Sequence, residues 1–452
     1  MIRKIRLKNF KSFADVEFDL TKKRTEIKPL VLIYGENGSG KSNIIESIAF
    51  LKDLQYTMKM SLARSELLKK APGIEELSEA MSKTVFPYDL KDLIFRGKTS
   101  LPELLEKTKT IGSKENMFVE IEMYIEDFIT VYALEFDNVS IVKETIRYPL
   151  NERIVTIADI NKDKIKIHKS VFGDKKYEKE FRYTLSQYWG KHTFLSTLAH
   201  EIDLKNETFI ENSISEKLIK VINYIDNITV ELSDNIVENM SVINMISGRC
   251  KKDNFDLEYK KYESSYNSLF KALYADIYKV YYETSEVNED ILEYKMHFEK
   301  NIGDRIVKIP ADLESMGTKK IIDLMPYLLK AISGGVVWFD EFDLGIHDVL
   351  ISTIIRAVAN KIQGQLVITT HNTTLIEPDA IHEIGTEAVY ILDSDYMANK
   401  KFHCLSDYII KKTNNPRDMN LRGAFGGISF VDKLYIDDIF DMEIENLGGD
   451  DY

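Results

Sequence analysis

One motif restricts the fold of this chain more than any other feature, the glycine-rich sequence Gly35-Glu36-Asn37-Gly38-Ser39-Gly40-Lys41-Ser42. It follows an apolar run, 30–34, that is typical of a strand buried on both faces, and it precedes a segment with helical spacing. Glycines let backbone N–H groups turn inward around a phosphate, and the start of a helix adds positive partial charge. The motif therefore predicts an α/β domain with a P-loop that binds a nucleoside triphosphate.

The P-loop residues take distinct roles in this prediction. Lys41 reaches the β- and γ-phosphates and is a candidate catalytic residue, while the Ser42 hydroxyl is a candidate ligand of Mg²⁺. ATP and Mg²⁺ are accordingly the expected cofactors. The expected ATP-binding residues here are Asn37, Gly38, Ser39, Gly40, Lys41, Ser42 and Asn43.

A second motif consists of four apolar residues, Val336–Phe339, followed directly by Asp340 and Glu341. A buried strand of this kind delivers the first acid to the Mg²⁺ shell, so Asp340 is a predicted metal ligand. Glu341 is the predicted general base, which polarises the attacking water. Alone the pattern is moderately specific, and its pairing with a P-loop makes it strong.

Two weaker signals surround this motif. His371 ends a second apolar strand, 366–369, and is predicted to contact the γ-phosphate, although an isolated histidine is more often a surface or capping residue. Ser315 and Gly317 open a helix before the Val336 strand and form a candidate anion site, or else a simple helix cap.

In this order, the four pieces resemble the ABC-type ATPases of the SMC/RecF/OLD group. Asn9-Phe10-Lys11-Ser12-Phe13, and Asn43 after the P-loop, look like the opening of that group. The chain is more closely similar to the RloA, AriA and AbiL-type ATPases of anti-phage defence operons, through its Ser315–Thr318 core and its glycine-rich tail motif, 420–428. The resemblance covers residues 1–55 and about 305–430.

The resemblance implies that ATP is bound between two copies of the chain. Ser315 and Gly317 would act in trans on nucleotide held by the P-loop of the partner, and Asp343 matches a D-loop position that also contacts ATP. His347 matches a histidine that is usually followed by proline, but Asp348 stands there, and Ser429 replaces another usual proline. The resemblance also suggests Gln187 as a Q-loop ligand of Mg²⁺, and this is its weakest match to the family.

The expected fold is α/β, an ABC-ATPase head with a mixed central sheet, flanking helices, an antiparallel β subdomain and a helical insertion. The predicted division of the chain is as follows: residues 1–55, the first part of the ATPase domain; 56–115, a helical insertion; 116–200, a β-rich lobe; 201–300, a helical insertion or dimerisation region; 301–405, the second part of the ATPase domain; and 406–452, the tail.

Composition excludes several other classes of protein. The net charge of −13 argues against a basic clamp on nucleic acid, and the two distant cysteines fit a reducing cytoplasm without a disulfide framework. No apolar stretch approaches the ~20 residues of a membrane span, and the first residues show no signal-peptide core. We therefore expect a cytoplasmic protein without a membrane partner.

Charge is unevenly placed along the chain. The first 11 residues carry five Lys or Arg and no acid, whereas 434–452 carry seven Asp or Glu and no base. These are a solvated edge strand and a solvated tail, or a DNA-contacting edge and a partner-binding tail. Nucleic acid thus remains a candidate partner.

The expected function is a switch ATPase of an abortive-infection system, which senses infection and controls a separate effector. The effector would be a separate chain, a Toprim-like nuclease or a toxin. This chain is not expected to contain a Toprim domain of ~100 residues itself, because Asp393-Ser394-Asp395 is more simply the end of a strand. A phage protein is a candidate trigger. The alternative is a RecF- or SMC-like DNA-repair ATPase. A transporter ATPase is disfavoured, since 273 residues separate Ser42 from Ser315.

Overall fold

The structure is a computed structural model that describes residues 1–22, 26–70, 100–151, 153–233, 244–395, 399–411 and 414–427. Several sequence predictions lie outside these residues: the acidic segment 434–452, the tail position Ser429, and residues 71–99 of the 56–115 insertion. Among the residues described, no helix combines the length and apolarity that crossing a bilayer requires.

The strands are β1 (Ile2–Phe10), β2 (Phe13–Asp19), β3 (Thr21–Lys22), β4 (Glu26–Ile27), β5 (Leu30–Gly35), β6 (Met117–Ile125), β7 (Phe128–Phe136), β8 (Ile141–Leu150), β9 (Arg153–Asn161), β10 (Lys164–Ile167), β11 (Thr229–Glu231), β12 (Ser247–Lys251), β13 (Ile277–Glu286), β14 (Ile291–Ile302), β15 (Arg305–Pro310), β16 (Val336–Phe339), β17 (Gln365–Thr369), β18 (Val389–Ser394) and β19 (Lys400–Cys404).

The α-helices are α1 (Lys41–Lys70), α2 (Leu101–Thr108), α3 (Lys175–Tyr188), α4 (Phe194–Asp203), α5 (Glu207–Ser213), α6 (Glu216–Asn227), α7 (Lys252–Glu258), α8 (Glu263–Leu273), α9 (Met316–Ile332), α10 (Asp348–Ala359), α11 (Pro378–Ile384) and α12 (Pro416–Leu421).

The central sheet has the order β11-β16-β17-β5-β18-β19, with all neighbours parallel except the β18–β19 pair. Successive residues of β5 enter two different cores: Val31 and Ile33 pack on one side, and Leu32 and Tyr34 on the other. This coverage of both faces explains the continuous apolar runs of the central strands. The predicted α/β class is confirmed.

An antiparallel sheet, β10-β9-β8-β7-β6-β1-β2, packs against α1. Phe50 of α1 joins the two layers, since its ring lies 5.8 Å from that of Phe10 and 5.5 Å from that of Phe136. Helix α1 is unbroken across the predicted boundary at residue 55. The strands β1 and β2 also belong to the β-rich lobe, although they precede the P-loop.

The basic first strand is not an edge strand. It lies between β2 and β6, and its Lys and Arg side chains pair with acids on those strands and on α1. The pairs are Arg3–Glu122, Lys4–Glu17, Arg6–Asp15, Lys8–Asp15 and Lys11–Glu46. Much of the positive charge that suggested a DNA-contacting edge is therefore neutralised within the chain.

A third sheet corrects the helical prediction for part of 201–300. Helix α8 ends at Leu273, and β13 and β14 then form a long antiparallel pair, flanked by β12 and β15. The apolar spacing of Ile277 and Val280 looks helical because the register of β13 shifts between Ile277 and Lys279. Such a bulge breaks the alternation that identifies a strand.

The tail motif folds back onto the central sheet. Phe425 is buried with its ring 5.0 Å from that of Tyr408, and the Gly427 N–H donates to the Asp393 carboxylate at 2.9 Å. Asp393 and Ser394 are the last residues of β18. These contacts support the interpretation of 393–395 as a strand end.

A buried histidine gives the lobe a pH-dependent stability. His192 lies between α3 and α4 with its Nδ1 3.1 Å from Thr57 Oγ1, and burial, aided by the charges of Lys191 and His200, lowers its pKa to about 4. Between pH 6.5 and pH 4, His192 is therefore protonated in the unfolded chain but neutral in the native chain. Because the unfolded state binds more protons, the free energy of unfolding falls as the pH falls.

We expect His192→Gln to reduce this pH dependence. In urea titrations at pH 7 and pH 5, the wild type should lose ~2 kcal/mol more than the variant. His382→Gln, at an exposed histidine of α11, is the matched control and should behave as the wild type does. An equal loss in the wild type and in His192→Gln would contradict the assignment.

Candidate functional site

The candidate site lies where three parallel strands end. The strands β16, β17 and β5 are neighbours, so their carboxyl ends bring together Asp340, Thr369 and the P-loop (residues 35–42). Ligands of open α/β sheets bind at this edge. The two motifs that are distant in sequence therefore share one site.

The P-loop has the backbone of a phosphate cradle. Gly38 and Gly40 have φ values of +76° and +106°, which side chains rarely permit, and α1 begins at Lys41. Lys41 Nζ donates to the carbonyls of Gly35 and Glu36, each at 2.9 Å. The Lys41 side chain thus lies across the backbone of the loop, and Lys41 is also the first residue of the long helix α1.

A buried hydroxyl in the loop supports the fit to a nucleotide. Ser39 Oγ has no hydrogen-bond partner in the described part of the chain, although burying such a group costs free energy. A cradle of inward N–H groups, a lysine and an unsatisfied hydroxyl matches the oxygens of a phosphate chain.

Two hydroxyls hold the Asp340 carboxylate. Thr369 Oγ1 donates to Oδ1 at 2.6 Å, and Ser233 Oγ donates to Oδ2 at 3.0 Å. Asp340 is almost completely buried, and such bonds fix the orientation of its side chain. Sequence reasoning missed both hydroxyls. The short strand β11, ahead of Ser233, has too few residues to show a period.

Glu341 has a strained backbone. Its φ is +49°, and its N–H donates to Thr369 Oγ1 at 2.7 Å. Left-handed backbone is uncommon outside glycine and is found at functional sites. Thr369 therefore orients both acids, since its hydroxyl donates to Asp340 and accepts from Glu341.

The electrostatics of the site connect its parts. Burial lowers the pKa of Lys41, and the nearby carboxylates of Asp340, Glu341 and Asp343 oppose this shift. Burial and the Lys41 charge lower the pKa of His371, so its imidazole is neutral near pH 7. These couplings place Lys41, the acidic pair and His371 within one electrostatic environment.

Asp343, at the D-loop position, contacts the segment after β17 that carries His371. The His371 N–H donates to Asp343 Oδ2 at 3.2 Å, and His347 caps α10, accepting from the Val349 N–H at 3.3 Å. Asp348, which stands where a proline was expected, is the first residue of α10. An acid there is favourable beside the helix dipole.

The signature turn (residues 313–318) begins α9. Ser315 accepts a hydrogen bond from the Thr318 N–H at 3.2 Å. It is therefore a helix cap, which was the alternative to an anion site. An ideal Cβ on Gly317 would lie 3.4 Å from the Gly345 carbonyl. The signature turn and the D-loop therefore adjoin each other within one protomer.

The structure places Gln187, the predicted Q-loop ligand of Mg²⁺, in the β-rich lobe. It is exposed on α3, its amide donates to Ser186 at 3.4 Å, and α3 packs against α4 in the β-rich lobe. Sequence order does not reveal which strands border β16. One of them is β11, which leads to Ser233.

The residues fit Mg²⁺ held jointly with a nucleotide. Ser42 lies in the first turn of α1, and Asp340 is the buried acid directly after β16. In the described ranges, no group of three or more His, Cys, Asp or Glu could hold a metal ion. Mg²⁺ commonly takes one or two protein ligands and completes its shell with phosphates and water.

Two curated proteins align with most of this chain, and a third aligns with a short segment of it. An "ATP/GTP phosphatase" of Helicobacter pylori is 20% identical over 91% of this chain and 95% of the relative. The "Retron Vc95 probable ATPase" of Vibrio cholerae is 23% identical over 94% of this chain and 78% of the relative. The "Septu protein PtuA" of Bacillus mycoides is 35% identical, but over only 16% of this chain and 9% of that protein.

Solved structures of SMC heads also match. The SMC head domain of Thermotoga maritima aligns with a TM-score of 0.37, and the Smc head domain of Pyrococcus furiosus, bound to the C-terminal domain of ScpA, aligns with a TM-score of 0.41. Each is 15% identical to this chain, and the alignments cover 89% and 90% of it.

A protein family matches residues 30–377, from the strand before the P-loop to beyond His371. Since that span is more than half of the chain, this protein belongs to the family described as "AAA domain, putative AbiEii toxin, Type IV TA system".

Proposed function

We propose that this protein is an ATPase that binds Mg-ATP between two copies of itself and hydrolyses it as a conformational switch. The convergence of the P-loop with Asp340 and Glu341 at one sheet edge carries the proposal. The family and the relative named as an ATP/GTP phosphatase support nucleotide hydrolysis. We expect slow turnover of ATP, because a switch uses the hydrolysis cycle to control its conformational state rather than to sustain a high flux.

The residues of the site divide the chemistry. Lys41 and the P-loop N–H groups bind and orient the phosphates, while Ser42 and Asp340 would hold Mg²⁺, which when bound neutralises phosphate charge. Glu341 accepts the proton of the attacking water. His371, kept neutral by burial and by Lys41, donates or accepts a hydrogen bond at the terminal phosphate.

The exposed face beside the signature turn supports the dimer. Leu313 and Met316 are 74% and 71% exposed, and Val349 and Leu344 nearby are also exposed. Apolar side chains around a glycine-containing helix start are suited to contact with another protein surface. In the dimer, Ser315 and Gly317 would close over nucleotide bound by the partner.

The biological setting that we propose is anti-phage defence. Relatives named as a retron ATPase and as a Septu protein favour it over DNA repair. The ion pairs that neutralise β1 also weaken the case for a DNA-binding edge. The ATP-bound form would hold a separate nuclease or toxin chain inactive and release it when a phage component is detected.

Lys41→Ala tests the nucleotide site directly. Removing the ammonium should raise the Kd for Mg-ATP at least ~100-fold, because the lysine contacts charged phosphate oxygens. Isothermal titration calorimetry measures the change, and Lys175→Ala, at an exposed lysine of α3, is the control. Wild-type affinity in Lys41→Ala would contradict the proposed site.

The effector is tested by purification from the native host with mass spectrometry. A nuclease or toxin chain should accompany the wild type and Glu341→Gln, and should be lost from Lys41→Ala. Tight, salt-sensitive binding of duplex DNA by the protein alone, with no such companion chain, would instead favour DNA repair.

A further inference from the structure

We propose that Lys400 of β19 is a second cationic contact for the nucleotide, on the α-phosphate side of the P-loop. The inference rests on the proposed nucleotide site and extends it to β19, a strand outside the motifs that predicted the site. Lys400 Nζ donates to Ser12 Oγ at 2.8 Å and lies 3.4 Å from the Gly38 carbonyl. An ideal Cβ on Gly40 would be 3.2 Å from the same ammonium.

The strand pattern directs Lys400 to the P-loop. Along β19 the buried Phe402 and Cys404 alternate with the less buried Lys401 and His403, and Lys400 lies on the face of Phe402. Its ammonium is 5.8 Å from the Phe13 ring, which itself packs on Phe402 at 6.3 Å. The lysine is thereby held against the loop.

In the described part of the chain, the Lys400 ammonium is bonded to neutral oxygens, those of Ser12 and Gly38. Burial lowers the pKa of Lys400, and no carboxylate in the described part of the chain offsets this shift. Around Lys41, in contrast, four acidic side chains oppose the corresponding shift. An ammonium held by neutral oxygens beside a phosphate-binding loop is suited to an anionic ligand.

Neighbouring groups locate the phosphate that Lys400 would contact. Ser12 Oγ accepts hydrogen bonds from both Lys400 and the Asn43 side chain, the latter at 2.6 Å, so its own hydroxyl proton is not used by either bond. The turn that presents Ser12 has non-glycine residues in left-handed conformation, Asn9 and Lys11. Lys41 serves the β- and γ-phosphates, which leaves the α-phosphate to the cluster Ser12, Asn43 and Lys400.

The test compares Lys400→Met with Lys400→Arg and with Lys401→Met, the matched control on the other face of β19. Calorimetry on the Glu341→Gln background measures the affinities for Mg-ATP, Mg-ADP and adenosine. We expect Lys400→Met to weaken ATP and ADP alike by about 10- to 100-fold. Adenosine binding and Lys401→Met should be unchanged, Lys400→Arg should recover most of the loss, and the nucleotide-free Tm should match that of the parent protein.

Other outcomes overturn the inference in recognisable ways. Wild-type affinity in Lys400→Met, with binding lost in Lys41→Ala, removes the role of Lys400 but leaves the ATPase proposal intact. A loss for ATP without one for ADP contradicts the α-phosphate assignment, and an equal loss for adenosine contradicts a phosphate contact. A lowered nucleotide-free Tm that arginine does not restore indicates a structural role. A parent protein that binds neither nucleotide refutes the proposed function itself.

Discussion

Glu341→Gln should bind Mg-ATP with wild-type affinity and hydrolyse it at least ~100-fold more slowly, since general-base catalysis contributes about that much or more. The glutamine preserves the size of the side chain and the backbone N–H bond to Thr369, but it cannot accept a proton from water. Phosphate release under single-turnover conditions measures the effect. The variant should also accumulate as an ATP-bound dimer in size-exclusion chromatography.

Two controls protect this interpretation. Glu211→Gln, at an exposed acid of α5, should hydrolyse ATP as the wild type does. Binding measured by calorimetry separates a catalytic loss from a failure to bind. If Glu341→Gln turned over ATP at the wild-type rate, Glu341 would not be the base.

Mixing two inactive variants should restore hydrolysis if the signature turn acts in trans. Lys41→Ala lacks the P-loop lysine, and Ser315→Arg places a bulky cation at the start of α9. In a mixed dimer, one site combines an intact P-loop with an intact signature turn. An equal mixture that exchanges freely should therefore recover about one quarter of the wild-type rate, as two-fold symmetry and random pairing require.

The recovery has a matched control. A chain that carries both Lys41→Ala and Ser315→Arg should restore nothing when it is mixed with Lys41→Ala, because no complete site forms. Absence of recovery from the two single variants, at concentrations where the dimer is observed, would exclude a shared site. Activity of Ser315→Arg alone would show that the signature turn has no role in hydrolysis.

Local patterns determined much of the fold before any contact was known. The apolar runs at 30–34 and 336–339 predicted strands covered on both faces, because continuous apolar sequence is stable only where neither face meets water. The glycines of the P-loop predicted a turn that other residues resist. The helix start at Ser315 was equally readable, since its capping chemistry is local.

Patterns failed where a partner strand decided the outcome. The bulge in β13 breaks the alternation of a strand, so its sequence has helical spacing. The basic residues of β1 suggested an exposed edge, but β1 lies inside its sheet and these residues form ion pairs. Sequence spacing did not indicate Ser233, because its position beside Asp340 depends on the pairing of β11 with β16.

Residue types and their spacing were therefore sufficient to predict a phosphate-binding loop, an acidic pair, and most of the strands and helices that carry them. Those features depend on local backbone preference and on burial, which residue types express directly. Residue types and spacing did not predict which distant groups meet, such as Ser233 and Thr369 at Asp340, or Lys400 at the P-loop. Contacts of this kind follow from strand order and register, which arise when separate segments pair and pack together.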